Sequence, residues 1–189
     1  TAALKALGWR IRNPADLGRA VEDFQRGFTL PGVPALLVDG KLGPKTRASL
    51  QMSYDRGRAG QPTASEFFSY SEFACQCRGR YADCRRIRVH RELLLGLNDY
   101  RRLAGPTAPV SGYRCVRHNA AVGGASSSQH VYGAACDLGY KLSVTAVRRL
   151  RRFSGIGHKN NLVRHVDVRH VSGNNTTGGT PDRPTLWRY

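Results

Sequence analysis

Histidine and aspartate side chains concentrate in two stretches of the second half of the chain. The first stretch holds His130 and Asp137, and the second holds His165, Asp167 and His170. Zinc prefers imidazole nitrogen, thiolate sulfur or carboxylate oxygen, and a catalytic zinc site has three protein ligands with water in the fourth position. His130, Asp137 and His170 supply such a set and are the predicted metal ligands.

Asp167 lies three residues before His170, where a carboxylate beside a metal is able to take a proton from bound water. Residues three apart in a strand face opposite sides, so these two share a site only through a twist, a bulge or a strand end. His165 precedes Asp167 by two residues and therefore lies on the same side of a strand. We predict His165 as a further catalytic residue. Three roles stay open for it: base, hydrogen-bond donor to the transition state, or neighbour of the site.

These stretches belong to a longer pattern. Residues 128–137 read S-x-H-x-x-G-x-A-x-D, and residues 167–170 read D-x-x-H. Together they resemble the zinc D-alanyl-D-alanine metallopeptidases, a family that shares its fold with lysostaphin-type enzymes and the hedgehog signalling domain. Residues 110–126, which begin Val-Ser-Gly-Tyr-Arg, are similar to the segment that precedes the first ligand in that family. The resemblance covers residues 67–171.

The resemblance also implies roles for single residues. Arg114 would bind the developing oxyanion or a substrate carboxylate, for which a planar guanidinium is suited. Ser128 would help to position the substrate. The other implied roles are zinc ligation by His130, Asp137 and His170 and proton acceptance by Asp167.

The first part of the chain predicts a separate helical unit. Apolar residues between Leu17 and Phe28 recur at helical spacing, and a second helix is expected to begin at Gly43-Pro44, since proline fits the first helical position. Residues 37–47 precede this helix and resemble peptidoglycan-binding helical modules. With the apolar residues at the start of the chain, this predicts a three-helix module over residues 1–60. A Gly- and Pro-containing stretch then leads into a catalytic domain over residues 66–189.

The second part mixes helix and strand patterns. Helical spacing predicts a helix within residues 89–103, and Ser143 is the expected N-cap of a helix over residues 144–153. Short apolar runs at residues 108–110, 134–138 and 162–171 predict strands. The expected class is therefore α+β, with a short antiparallel sheet flanked by helices.

Charge and hydropathy limit the partners. The formal net charge is +17, and such a surface attracts polyanions. We expect the binding partners to be peptidoglycan stem peptides and anionic cell-wall polymers. Binding of a specific nucleic acid is not expected, because the chain has neither an RNA-binding aromatic signature nor zinc-finger spacing. No stretch approaches the roughly 18 apolar residues of a membrane-spanning helix.

The cysteines allow two interpretations. In a secreted protein, Cys75, Cys77, Cys84 and Cys115 would form one or two disulfides, which is the favoured prediction. In a reducing compartment they would form a structural zinc site, although the Cys-x-Cys spacing is tighter than usual. Cys136 is expected to be a small buried residue that points away from the metal.

Together these features predict a zinc-dependent peptidoglycan hydrolase that cuts the stem peptide, as a D-Ala-D-Ala carboxypeptidase or as a cross-link endopeptidase. Two alternatives stay open: a phage endolysin that cuts the L-Ala-D-Glu bond, and a catalytically silent zinc-bearing wall-binding protein. We expect a monomer that acts at the cell wall outside the cell, either secreted or delivered by a phage.

Overall fold

The computed structural model describes residues 1–189 and contains both helices and strands. Two 3-10 helices add single turns at Tyr70–Phe73 and Arg169–Val171. The α-helices are α1 (Ala2–Ala6), α2 (Pro14–Gly27), α3 (Pro44–Arg58), α4 (Arg91–Ala104), α5 (Val116–Ala121) and α6 (Val144–Arg149). The strands are β1 (Ala135–Asp137), β2 (Gly155–Lys159), β3 (Leu162–Asp167) and β4 (Thr185–Arg188).

The four strands form one sheet in the order β1-β3-β2-β4. β3 is antiparallel to both β1 and β2, whereas β4 is parallel to β2. The α+β class is confirmed, and the prediction of a wholly antiparallel sheet is wrong at β4. The reason is that β3 ends beside Gly155 at the start of β2, and the chain returns to the sheet at the same end, where Thr185 pairs with Gly155.

Local sequence explains several element boundaries. Ser143 caps α6, since its Oγ accepts a hydrogen bond from the Ala146 N–H at 3.2 Å. The helix stops at Arg149 rather than at residue 153, and Arg151 with φ 50° takes a left-handed conformation just beyond it. The tight turn between β2 and β3 uses Asn160 and Asn161, both with positive φ, as asparagine tolerates.

Two predicted strands differ in the structure. The run at residues 108–110 forms no strand, and only an isolated bridge joins Ser111 to Asp137. The run at residues 162–171 is a strand only as far as Asp167 and then tightens into the 3-10 helix.

The core is continuous from the first helices to the sheet. One cluster of 29 buried residues extends from Leu4 to Val168. The ring of Trp9 lies 4.7 Å from the ring of Tyr70, whose hydroxyl donates to the Phe24 carbonyl at 3.2 Å. The stretch expected to join two domains is itself buried at Ala64. The first helices therefore share one core with the rest of the chain. The division into domains at residues 1–60 and 66–189 stays a prediction.

A continuous core predicts cooperative unfolding. Phe24 is fully buried and packs against the rings of Trp9, Phe28 and Tyr70. We expect Phe24→Ala to cost about 3–5 kcal/mol and to lower the midpoint of one single transition, measured by calorimetry and circular dichroism. Leu37→Ala, at a side chain that is 77% exposed, should change stability by less than about 0.5 kcal/mol. Two separate transitions would show that the first helices fold independently.

Candidate metal centre

The pairing of β1 with β3 brings two candidate ligands together. Asp137 lies directly opposite His165 in the register, and His165 Nδ1 is 2.9 Å from Asp137 Oδ1. His130 arrives from the turns that precede β1, with its Nε2 3.3 Å from the same oxygen. One donor atom from each of these three residues lies within 4.8 Å of the other two.

The second nitrogen of each imidazole has its own partner. His130 Nδ1 is 2.6 Å from the Gly112 carbonyl oxygen, and His165 Nε2 is 3.2 Å from Asp167 Oδ2. Metal-bound histidines almost always donate their other N–H to a carbonyl or a carboxylate in this way. With the protons assigned to those nitrogens, His130 Nε2 and His165 Nδ1 both turn lone pairs toward Asp137. Two imidazole lone pairs directed at a carboxylate repel it. A bound cation would turn this repulsion into attraction.

The donor set fits zinc. Two imidazoles and one carboxylate form a known ligand set of catalytic zinc, and bonds of about 2.0–2.2 Å in a tetrahedron put donors roughly 3.3–3.6 Å apart. The observed separations from Asp137 Oδ1, 2.9 Å to His165 and 3.3 Å to His130, are near that range.

Hydrogen bonding in the cluster controls ionisation. Burial alone would raise the pKa of Asp137. When His130 and His165 carry protons on the nitrogens that face Asp137, as they can without a metal ion, their hydrogen bonds outweigh burial and hold that pKa well below its ordinary value. Burial also opposes ionisation of Asp167, yet Arg169 and His165 lower its pKa to about 2. Burial lowers the pKa of His130, which favours the neutral imidazole that a metal needs. Burial opposes protonation of His165, but the two aspartates outweigh it and raise its pKa, so protons compete with a metal ion in acid.

The structure places His170 outside this cluster. The 3-10 helix that follows β3 carries His170, and its Nδ1 lies 2.8 Å from Ser154 Oγ. The structure therefore differs from the predicted ligand set at one position, where His165 stands in place of His170. The physical reason is the strand end: β3 stops at Asp167, so only His165 is opposite Asp137 in the ladder.

Arg114 and Ser128 line the same cleft as the three donors, which has a volume of about 460 Å³. Their predicted roles in binding substrate stay predictions. Arg114 Nη2 is 2.5 Å from Asp137 Oδ2, and its Nε donates to Ser111 Oγ at 3.0 Å. Arg114 is thus held against a candidate ligand, with its side chain still 19% exposed.

Comparison with known proteins identifies the family. The model of the family described as Peptidase M15 matches residues 66–172, more than half of the chain. The chain belongs to the peptidase M15 family. It is similar to the zinc D-Ala-D-Ala carboxypeptidase of Streptomyces albus G, with 30% identity over 148 residues that cover 65% of this chain and 58% of the relative. The chain therefore spans less than two thirds of the length of that relative.

These matches confirm the family predicted from the sequence. The first 65 residues, which include the predicted wall-binding module, lie outside the family match. The three-donor cluster, taken with the membership of the chain in the M15 family, supports the predicted zinc cofactor.

Sequence reasoning missed three residues of the M15 site. Arg169 donates two hydrogen bonds to the Asp167 carboxylate, at 2.8 and 2.6 Å. Its guanidinium carbon lies 5.2 Å from the ring centre of Trp187. The Trp187 ring lies 5.1 Å from the His165 ring, and Tyr189 also lines the cleft. The alternation of Trp187 and Tyr189 at the end of the chain was an available strand signal.

Two glycines of β2 make room for these groups. A Cβ at Gly155 would overlap the Asp167 carboxylate, and a Cβ at Gly157 would lie 2.7 Å from Tyr189 and 2.8 Å from Trp187. Glycine in a strand interior often marks such a close approach. It also weakens the strand pattern, which explains why β2 was not predicted.

Two matched histidine variants test the ligand set of this metal centre. We expect His165→Ala to lose the zinc of this centre on dialysis, because it removes a donor that faces Asp137. His170→Ala should keep that zinc, because its imidazole bonds to Ser154 instead. Elemental analysis of both variants beside the unchanged protein measures the outcome. Zinc lost only from His170→Ala would restore the ligand set inferred from the sequence.

A substitution at Asp167 separates a positioning role from that of a base. The side chain of Asp167 is 0% exposed, and both of its oxygens are engaged by Arg169 and His165. We expect Asp167→Asn to weaken zinc binding roughly 10- to 100-fold and to recover peptidase activity when zinc is raised. A base would instead lose activity by about 10²–10⁴-fold with zinc fully bound. Asp182→Asn, at a side chain 70% exposed, is the control and should change neither quantity.

Proposed function

We propose that this M15 chain is a zinc-dependent peptidoglycan peptidase that removes the terminal D-alanine of the stem peptide, as a D-Ala-D-Ala carboxypeptidase. The observation that carries the proposal is the cluster of His130, Asp137 and His165 in an open cleft of the M15 domain. When bound there, zinc supplies Lewis acidity, which polarises a peptide carbonyl and lowers the pKa of water. The similarity to a zinc D-Ala-D-Ala carboxypeptidase supports the substrate class.

Arg114 has two tasks in this proposal. Its Nη2 and Nε bond to Asp137 and Ser111, which keeps Asp137 Oδ1 directed at the two imidazoles. Its remaining amino group, Nη1, donates to an oxygen of the substrate, either the terminal carboxylate or the carbonyl oxygen as negative charge develops. The planar guanidinium suits either acceptor, because its fixed N–H groups match the geometry of a carboxylate.

Asp167 acts on His165 rather than on water. Its carboxylate accepts from His165 Nε2 and keeps the proton on that nitrogen, so that Nδ1 presents its lone pair to the metal site. Arg169 holds the same carboxylate in a two-bond fork and rests on Trp187, which limits its rotation. Asp167 is thus a positioning residue in this proposal, because both of its oxygens are already bonded to Arg169 and His165.

The walls of the cleft suit a peptide with small side chains. Gly123, Gly124 and Ala125 line it together with Ser128, and the exposed aromatic surface of Tyr189 lines it as well. D-Alanine presents only a methyl group, so small wall residues leave room for the backbone to approach the metal. Ser128 contributes a hydroxyl for a backbone group of the substrate.

We assign wall binding to residues 1–60 as part of the same proposal. The Asp39-Gly40 turn of that segment is held by Gln25, whose Oε1 accepts from both backbone N–H groups at 3.0 and 2.8 Å. The turn leaves Leu37 exposed beside it, and the positive charge of the chain favours anionic wall polymers. In this proposal the protein acts outside the cell, as a monomer on the wall. No helix in the structure has the length and apolar character needed to cross a membrane.

Digestion of purified peptidoglycan tests the proposal. The zinc-loaded chain should release free D-alanine, detected by mass spectrometry of the soluble products. Release should stop with chelator and return with added zinc, and His165→Ala should release none. Opened cross-links without free D-alanine would identify an endopeptidase, and cuts at L-Ala-D-Glu would identify the lysin activity. Sedimentation with the wall in the absence of any cut would instead support a silent wall-binding protein.

A further inference from the structure

Four cysteines converge at a point outside the M15 metal centre. Sγ atoms of Cys75, Cys77, Cys84 and Cys115 all lie within 4.8 Å of one another. The separations are 3.4 Å for Cys75–Cys77, 3.9 Å for Cys75–Cys115 and 3.8 Å for Cys77–Cys115. A tetrahedral zinc with bonds of about 2.3 Å puts sulfur pairs roughly 3.8 Å apart. We propose that these four cysteines hold a second zinc ion, with a structural role.

The disulfides favoured from the sequence are not formed. All five cysteines are free in the structure. A disulfide joins two sulfurs at about 2.05 Å and has no need of a third or fourth sulfur at the same point. Here all four sulfurs lie within 4.8 Å of one another. This geometry favours the second interpretation of the cysteines, a four-cysteine metal site. Four thiolates with no other ligand are a standard structural zinc set.

The backbone explains how the close Cys-x-Cys spacing is accommodated. The Arg78 N–H donates to the Cys75 carbonyl at 3.1 Å, and the Arg80 N–H donates to the Cys77 carbonyl at 3.0 Å. Arg78 and Gly79 both have positive φ, at 55° and 83°. The chain therefore makes successive tight turns directly after the two cysteines. The N–H of Cys115 points at Cys75 Sγ at 3.4 Å, as backbone donors do toward a metal thiolate.

Positive charge is concentrated in the sequence around Cys84, although Arg85 and Arg88 also pair with Asp23. Zinc with four thiolates carries a net charge of about −2, by the usual ligand charges. The neighbouring residues 78–88 hold five arginines and one acid, Asp83. Nearby arginine favours thiolate over thiol, so this segment is suited to an anionic metal cluster.

The cluster also has a clear structural task. Residues 74–90 contain no helix or strand, yet Cys75 and Cys84 of this segment are buried. Their small core, with Tyr113 and Cys115, is separate from the main one. Long segments without regular structure need some other constraint, and a metal that binds only the folded chain supplies it.

The cysteine cluster is connected to the M15 metal centre through residues 111–115. Cys115 directly follows Arg114, which holds Asp137, and the Gly112 carbonyl orients His130. Zinc at the cysteines therefore anchors residues 111–115. This consequence rests on the proposed function, whereas the second zinc site itself does not.

Spectroscopy on a variant that keeps only the cysteine site is the direct test. We expect full-length His165→Ala, purified with reductant and without chelator, to retain one zinc per chain by elemental analysis. X-ray absorption at the zinc edge should show four sulfur neighbours at about 2.3 Å. A zinc edge without sulfur neighbours, iron in place of zinc, or no metal at all would overturn the proposal.

Thiol chemistry of the unchanged protein gives a second test that needs no variant. Denaturation with chelator and alkylation without reductant should modify all five cysteines, as seen by intact mass. Fewer modified cysteines would mean disulfides and would overturn the proposal.

A matched pair of cysteine variants completes the design. Cys77→Ser/Cys84→Ser should bind one zinc fewer than the unchanged protein and unfold at lower temperature. Cys136→Ser replaces the buried cysteine that lies outside the cluster and should keep the full zinc content. Equal zinc content in all three proteins would overturn the proposal. Peptidoglycan digestion by the unchanged protein is scored separately, so its failure is distinguishable from failure of the cysteine site.

Discussion

The pairing of Asp137 with His165 across β1 and β3 is the contact on which the metal centre depends. Residues directly opposite in an antiparallel pair have Cβ atoms about 4.5–5.5 Å apart, so the ladder itself delivers two donors to one place. A slip of one residue would turn both to the other face. The register is protected against that slip because Cys136 and Val166, which alternate with the donors, are fully buried in the main core. Burial of these two apolar side chains thus fixes the register that brings Asp137 and His165 together.

Two arginine–aspartate pairs surround the donors, and their value is orientation rather than stability. Asp167 is completely buried, and taking such a carboxylate out of water is costly unless its partner is well placed. Arg169 bonds to both of its oxygens, whereas Arg114 bonds to one oxygen of Asp137 and to Ser111. The four charges sum to zero, so the chain leaves the charge of a bound divalent cation uncancelled. A divalent ion held there would keep its charge for polarising a carbonyl group in the cleft.

Residues 111–115 contact both the His130–Asp137–His165 cluster and the cysteine cluster, whose members are distant in the sequence. Ser111 pairs with Asp137, the Gly112 carbonyl receives His130, and Arg114 faces the cleft. Cys115 then enters the cysteine cluster at the next position. A short stretch with almost no regular structure therefore carries contacts to both candidate metal sites. Outside any helix, it is held by backbone hydrogen bonds to distant segments, from Tyr113 to the Phe73 carbonyl and from Arg114 to the His130 carbonyl.

Local patterns in the sequence determined a large part of this protein. Apolar spacing and capping residues predicted α2, α3, α4 and the start of α6, and the motif over residues 128–137 identified the family and the donors His130 and Asp137. Periodicity depends on neighbours along the chain, so it is readable without a structure. The third donor was not readable, since the choice between His165 and His170 depends on where β3 ends and which residue faces Asp137. The convergence of the cysteines and the parallel β4 are likewise long-range results, decided only when distant segments pack together.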